Sequence, residues 1–64
     1  MTIQATNNVQ AYLFQLIADG AGYNDIAREW EAELAKMGMS AEQAARLGVR
    51  MAGNTFRAFE AATH

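Results

Sequence analysis

Residues 40–64 read SAEQAARLGVRMAGNTFRAFEAATH, and the fold turns on how this stretch is read. Ser40 stands three residues before Gln43, the spacing of a capping box, in which the serine oxygen takes an amide of the first turn and the glutamine side chain reaches back. Met39, just ahead of the cap, is placed to staple onto Ala44. Two apolar seams then run side by side at helical spacing. One is Ala44, Leu47, Met51, Thr55, Ala58 and Ala62, and the other is Ala45, Val49, Ala52, Phe56 and Phe59. No alternation of period two competes with them, so the stretch predicts a helix over about 40–62. Two adjacent seams imply a broad buried face rather than one stripe. Gly48 and Gly53 interrupt it, each costing roughly 1 kcal/mol against alanine in a helix interior. They serve either close approach of a neighbouring helix or, at Gly53-Asn54, a break. The continuous helix is the expectation.

Working outward, Gly38 ends a preceding helix over about 24–37, for which Asn24 is the expected cap. Asp25 near its start and Lys36 near its end both suit the helix dipole. Its inward stripe is Ile26, Ala27, Trp30, Leu34 and Met37. Its outer face carries Arg28, Glu29, Glu31, Glu33 and Lys36, where Arg28–Glu31 and Glu33–Lys36 are spaced for weak surface pairs. Asp19-Gly-Ala-Gly22 is a turn. It lacks the preceding strand, third glycine and Lys-Ser/Thr of a phosphate loop. Before it, Val9, Tyr12, Leu13, Leu16 and Ile17 mark a first helix over about 7–19, capped by Asn7 or Asn8 and stopped by Gly20. Residues 1–6 show no period and are expected to fray.

The expected architecture is therefore all-α: one domain of three helices, a helical hairpin plus a long C-terminal helix. A hairpin of the first two helices, the second only about 20 Å long, leaves part of a third helix of about 34 Å uncovered. Phe56 and Phe59 then project beyond the hairpin, and Leu47, Met51, Phe56 and Phe59 become the expected core and dimer interface. Size points the same way. A chain of 64 residues buries only about 60% of its unfolded surface and needs a staple or a partner. There is no cysteine, which removes disulfides and thiolate zinc sites, and the one histidine is His64. Dimerisation remains. No signal-peptide pattern and no apolar run of membrane-spanning length is present, so the expectation is a cytoplasmic, non-membrane protein.

The net charge of −2 is split. Residues 1–34 set Asp19, Asp25, Glu29, Glu31 and Glu33 against Arg28, for −4. Residues 35–64 set Lys36, Arg46, Arg50 and Arg57 against Glu42 and Glu60, for +2. Such asymmetry suits antiparallel packing or association between copies.

Catalysis finds little to work with. Ser40, the only serine, already has a capping role, and a nucleophile, base and orienting group are not assembled. Asp25, Glu29 and Glu33 repeat every four residues, but an exposed acidic stripe offers no contrast of environments for acid–base work. No cofactor, metal or enzymatic activity is expected. The candidate contacts are binding residues. Gln43, Arg46, Arg50, Asn54 and Arg57 form one arginine-rich face, the residue types that take phosphates and base edges. Trp30 beside Glu29 and Glu33, and Phe56 beside Arg57, are candidate anchors for a protein partner. Leu34-Ala-Lys-Met-Gly-Met-Ser40, followed by Ala44 and Leu47, resembles a helix-turn-helix, as does the register Ala44-Ala-Arg-Leu-Gly-Val49. Each covers under half the chain. The first puts Glu33, the second Asn54 and Arg57, where such motifs carry apolar residues.

The functional expectation is a small non-enzymatic helical interaction module, a homodimer that binds and regulates or inhibits a protein partner, of the kind encoded by phages and other mobile elements. A helix-turn-helix-like DNA-binding regulator is the alternative. A small nucleotide- or ligand-binding oligomer is the third reading.

Overall fold

A computed structural model describes residues 2–63, with side chains from residue 9 to residue 63. Met1 and His64 lie outside the described residues, as do the side chains of Asn7 and Asn8. The order is α1 (Thr2–Ala18), α2 (Tyr23–Lys36) and α3 (Ala41–Thr63). The domain is all-α, and α3 runs unbroken through Gly53 and Asn54.

The helix ends follow from local chemistry. Gly20 and Gly38 take φ of 103° and 94°, the left-handed conformation an L side chain resists. Each closes a Schellman motif. After α1, the Gly20 amide donates to the Ile17 carbonyl at 3.0 Å and the Ala21 amide to the Leu16 carbonyl at 2.9 Å. After α2, the Gly38 amide donates to Ala35 at 3.0 Å and the Met39 amide to Leu34 at 3.2 Å. At the start of α3, the Gln43 amide donates to Ser40 Oγ at 3.3 Å, the expected serine cap. Two expected starts differ. The cap of α2 is Gly22, whose amide donates to Asp25 Oδ2 at 3.0 Å, so Asn24 lies inside the first turn. The carboxylate satisfies the chain two residues earlier than an asparagine cap would. The backbone of α1 is helical from Thr2 and passes through Asn7 and Asn8 without starting there. No glycine or proline stands in residues 1–8 to stop it.

The intimate pair is α2 with α3. The chain reverses at residues 37–40, and α2 runs back along α3 as an antiparallel hairpin: Ala27 and Glu31 lie against Gly48, and Tyr23 against Gly53 and Phe56. The buried row of α3 is Ala44, Gly48, Ala52 and Thr55, all small. At Gly48 the two backbones come so close that a Cβ there would stand 2.9 Å from the Ala27 carbonyl oxygen and 3.2 Å from the Glu31 amide nitrogen. Close approach is therefore the role of this glycine. It also explains why the larger residues of the expected seams fall outside the contact: Leu47 and Met51 are half-buried at one flank, while Ala45 and Val49 are exposed at the other.

α1 closes the core. Leu13, Ile26 and Ala52, one from each helix, are buried together, with Val9, Leu16, Ile17, Ala27, Trp30 and Phe56 packed around them. This corrects the expected position of the two phenylalanines. Phe59 meets Phe14 edge-on at 5.5 Å, and Phe56 stacks on Tyr23 at 5.9 Å. They are half-buried against the chain's own helices and do not stand free beyond them, because α1 brings Phe14 onto the far half of α3 and α2 brings Tyr23 onto Phe56. Phe59→Asp accordingly breaks the contact with Phe14 and strikes the fold directly. Tyr12 and Met37, expected on inward stripes, are exposed. Met37 is the C-cap of α2, at the turn into α3.

Among the described residues, Thr55 is the one buried polar residue, and it is fully used. The Trp30 Nε1–H donates to Thr55 Oγ1 at 2.8 Å, and the Thr55 hydroxyl donates to the Met51 carbonyl at 2.7 Å. Thr55→Val keeps the shape and removes the acceptor. We expect a loss of about 1–2 kcal/mol, the cost of an indole N–H left without its partner. It is read by urea unfolding followed through the fluorescence of Trp30, the only tryptophan.

Candidate docking face of the third helix

Burying its small-residue row against α2 turns the opposite side of α3 to solvent. That side carries Gln43, Arg46, Arg50, Asn54 and Arg57, all exposed. The face expected from spacing is thus assembled on one helix surface. It holds more than charge. An open depression of about 340 Å³ is lined by Met39, Gln43, Arg46, Leu47 and Arg50. A second, of about 410 Å³, lies farther along and is lined by Leu47, Arg50, Met51, Asn54 and Arg57 together with Tyr23 and Gly53. They share Leu47 and Arg50, so the two form one strip along α3, with an apolar floor at its Met39–Leu47 end and a more polar, cationic lining toward Arg57.

The arginines differ in how they are held. Arg46 Nη2 lies 2.9 Å from Glu42 Oε1, with both side chains more than three-quarters exposed. Arg57 Nη2 donates to Asn54 Oδ1 at 2.8 Å. Such exposed contacts are weakly held and exchange readily for an external carboxylate or phosphate. Arg50, central to the strip, has no ion pair or side-chain hydrogen bond among the described residues.

The acidic candidates stand on α2. Glu29 and Glu33 are half-buried at its edge, and Glu33 Oε1 lies 3.4 Å from Lys36 Nζ, the expected pair. The other expected pair, Arg28–Glu31, does not form: Arg28 is exposed, whereas Glu31 is half-buried where α2 crosses Gly48. Trp30 is also corrected. Its indole is committed to Thr55 in the α2–α3 seam, so it is not an exposed anchor. Phe56 is likewise committed, to Tyr23. The exposed large apolar side chains are instead Tyr12, Tyr23, Met37 and Val49.

Two members of the strip were not singled out as contacts from sequence. Met39 reads there only as a staple residue. Tyr23 reads as part of the turn, yet its hydroxyl donates to the Val49 carbonyl and its ring and hydroxyl lie 3.3–3.9 Å from a Cβ built at Gly53. The legible signal for Met39 was its place beside the cap of a helix whose far side is cationic. Among the described residues, no group of three or more histidines or carboxylates is placed to hold a metal ion, and no helix is long and apolar enough to cross a membrane.

No family model matches the chain, and neither a curated protein nor a solved structure matches it.

Proposed function

We propose that this chain is a small non-enzymatic helical interaction module. It acts in the cytoplasm, associates with itself, and binds through the open side of α3 to regulate or inhibit a protein partner. The observation that carries this reading is the strip in which Leu47 and Met51 lie half-exposed beside Arg46, Arg50 and Arg57. An apolar floor lets contact displace water, and arginine at the edge supplies directional bonds to carboxylates or carbonyls. A shallow open trough suits a protein surface better than a small molecule, which is usually buried over most of its area.

DNA binding is the second reading, supported by Gln43, Arg46 and Arg50 on the exposed side of a helix that follows a glycine-containing turn. Against it, α2 stays beside α3 back to Tyr23, whereas the two helices of a helix-turn-helix meet at about 90–120°. Glu42 in the first turn of α3 would also face the phosphates.

The test is capture from host lysate by the tagged protein, with and without nuclease, alongside Leu47→Asp and Arg50→Glu. A discrete protein that survives nuclease and is lost with both variants is the expected result. Recovery of nucleic acid alone, weakening steeply with salt and with Arg46→Ala and Arg50→Ala, would transfer the function to DNA binding.

A further inference from the structure

We infer that the arginine strip of α3 is covered by the acidic edge of α2 from a second copy of this chain. The inference rests on reading the open side of α3 as a docking face, and it names a second copy as the occupant with which any other protein partner competes. Asp25, Glu29 and Glu33 recur every four residues along α2, and Arg46, Arg50 and Asn54 every four along α3. Both rows therefore repeat at about 6 Å. Laid antiparallel, they bring Glu33 to Arg46, Glu29 to Arg50 and Asp25 to Asn54, with Arg57 beyond. The rows belong to the two halves of the chain that carry −4 and +2, and no other segment here offers that match of sign and spacing. Within one chain they cannot meet, because α2 packs on the opposite side of α3 through Gly48. Among the described residues, Glu29 and Arg50 also lack ion pairs in their own chain.

The contact places Leu47 and Met51 under the acidic helix, so association removes apolar surface from water while the charges set register. Ion pairs at such an edge are screened by salt, and the affinity is correspondingly salt-dependent.

The experiment is sedimentation equilibrium of the purified full chain from micromolar to millimolar concentration, at low and high salt, with circular dichroism confirming that each variant is folded. The wild type is expected to self-associate, more weakly at high salt. Arg50→Glu and Glu29→Arg are each expected to weaken association by about tenfold or more. Mixing the two variants restores a complex between them. The altered strip of one chain then meets the altered edge of the other with the signs exchanged, and the second contact is the wild-type pair of Glu29 with Arg50. Should Glu29→Arg fail to fold, Glu33→Arg against Arg46→Glu makes the same exchange. A folded wild type that stays monomeric throughout overturns the inference, as does association indifferent to both reversals. If that monomer still captures a lysate protein that Leu47→Asp loses, the docking face stands with a different occupant. If neither occurs, both readings fall.

Discussion

Gly48→Ala is expected to destabilise the protein by about 2 kcal/mol, even though the exchange favours an isolated helix by roughly 1 kcal/mol. The added methyl would lie 2.9 Å from the Ala27 carbonyl oxygen. That neighbour is backbone, held within α2, and cannot swing aside as a side-chain tip would. The helices must separate, and the small-residue row from Ala44 to Thr55 loses its close contact with α2. Gly48→Leu extends the same clash by three more carbons and is expected to abolish the α2–α3 pair. Gly53→Ala is the control in the same helix. Its Cβ would lie 3.3 Å from the Tyr23 hydroxyl oxygen, the far end of a side chain that is nearly half exposed. A shift of a few tenths of an ångström there leaves the propensity gain of about 0.5–1 kcal/mol largely intact. Thermal unfolding of the three variants should move the midpoint down, far down and slightly up. Equal effects at the two glycines would refute the close approach.

Ile26→Ala should be the most damaging truncation. Ile26 is fully buried, and with Leu13 it is one of the two largest side chains fully enclosed. It joins α2 to both α1 and α3 at the Leu13–Ile26–Ala52 cluster. Removing its side chain beyond Cβ costs about 2–5 kcal/mol in transfer and cavity terms. At about 0.05–0.15 kcal/mol per residue, a domain of this length holds roughly 3–10 kcal/mol in all. The variant should therefore populate unfolded chain at room temperature, seen as lost helical ellipticity and exposed Trp30 emission. Full helicity with an unchanged urea midpoint would show that the three helices do not share one core. Leu13→Ala, on α1 in the same cluster, should couple to Ile26→Ala and not add to it, since the first truncation already loosens the site.

The two predictions draw on different kinds of information. The cost of losing an isoleucine from an inward stripe could be anticipated from spacing alone. The opposite signs at Gly48 and Gly53 could not. Both glycines read identically within α3, and only the position of Ala27 and Glu31 from another helix separates them.

Features that depend on neighbours within a few residues were legible in the chain before any packing was known. Three helices, the glycine stops at Gly20 and Gly38, the serine cap at Ser40 and the arginine row of α3 all follow from helical period, backbone conformation and short-range hydrogen bonds. Which helix pairs closely with which, and that the buried row takes small residues from both seams together with Gly48, emerged only from the packing. That choice fell to the smallest residues, because backbone contact at Gly48 excludes Leu47 and Met51 from the seam and leaves them on the docking strip. Packing likewise gave Phe56 and Phe59 partners within the chain, through Tyr23 and Phe14. The physical reason is that a helical period reports angle around one axis, whereas burial depends on the distance between axes, which residues far apart in the chain set together.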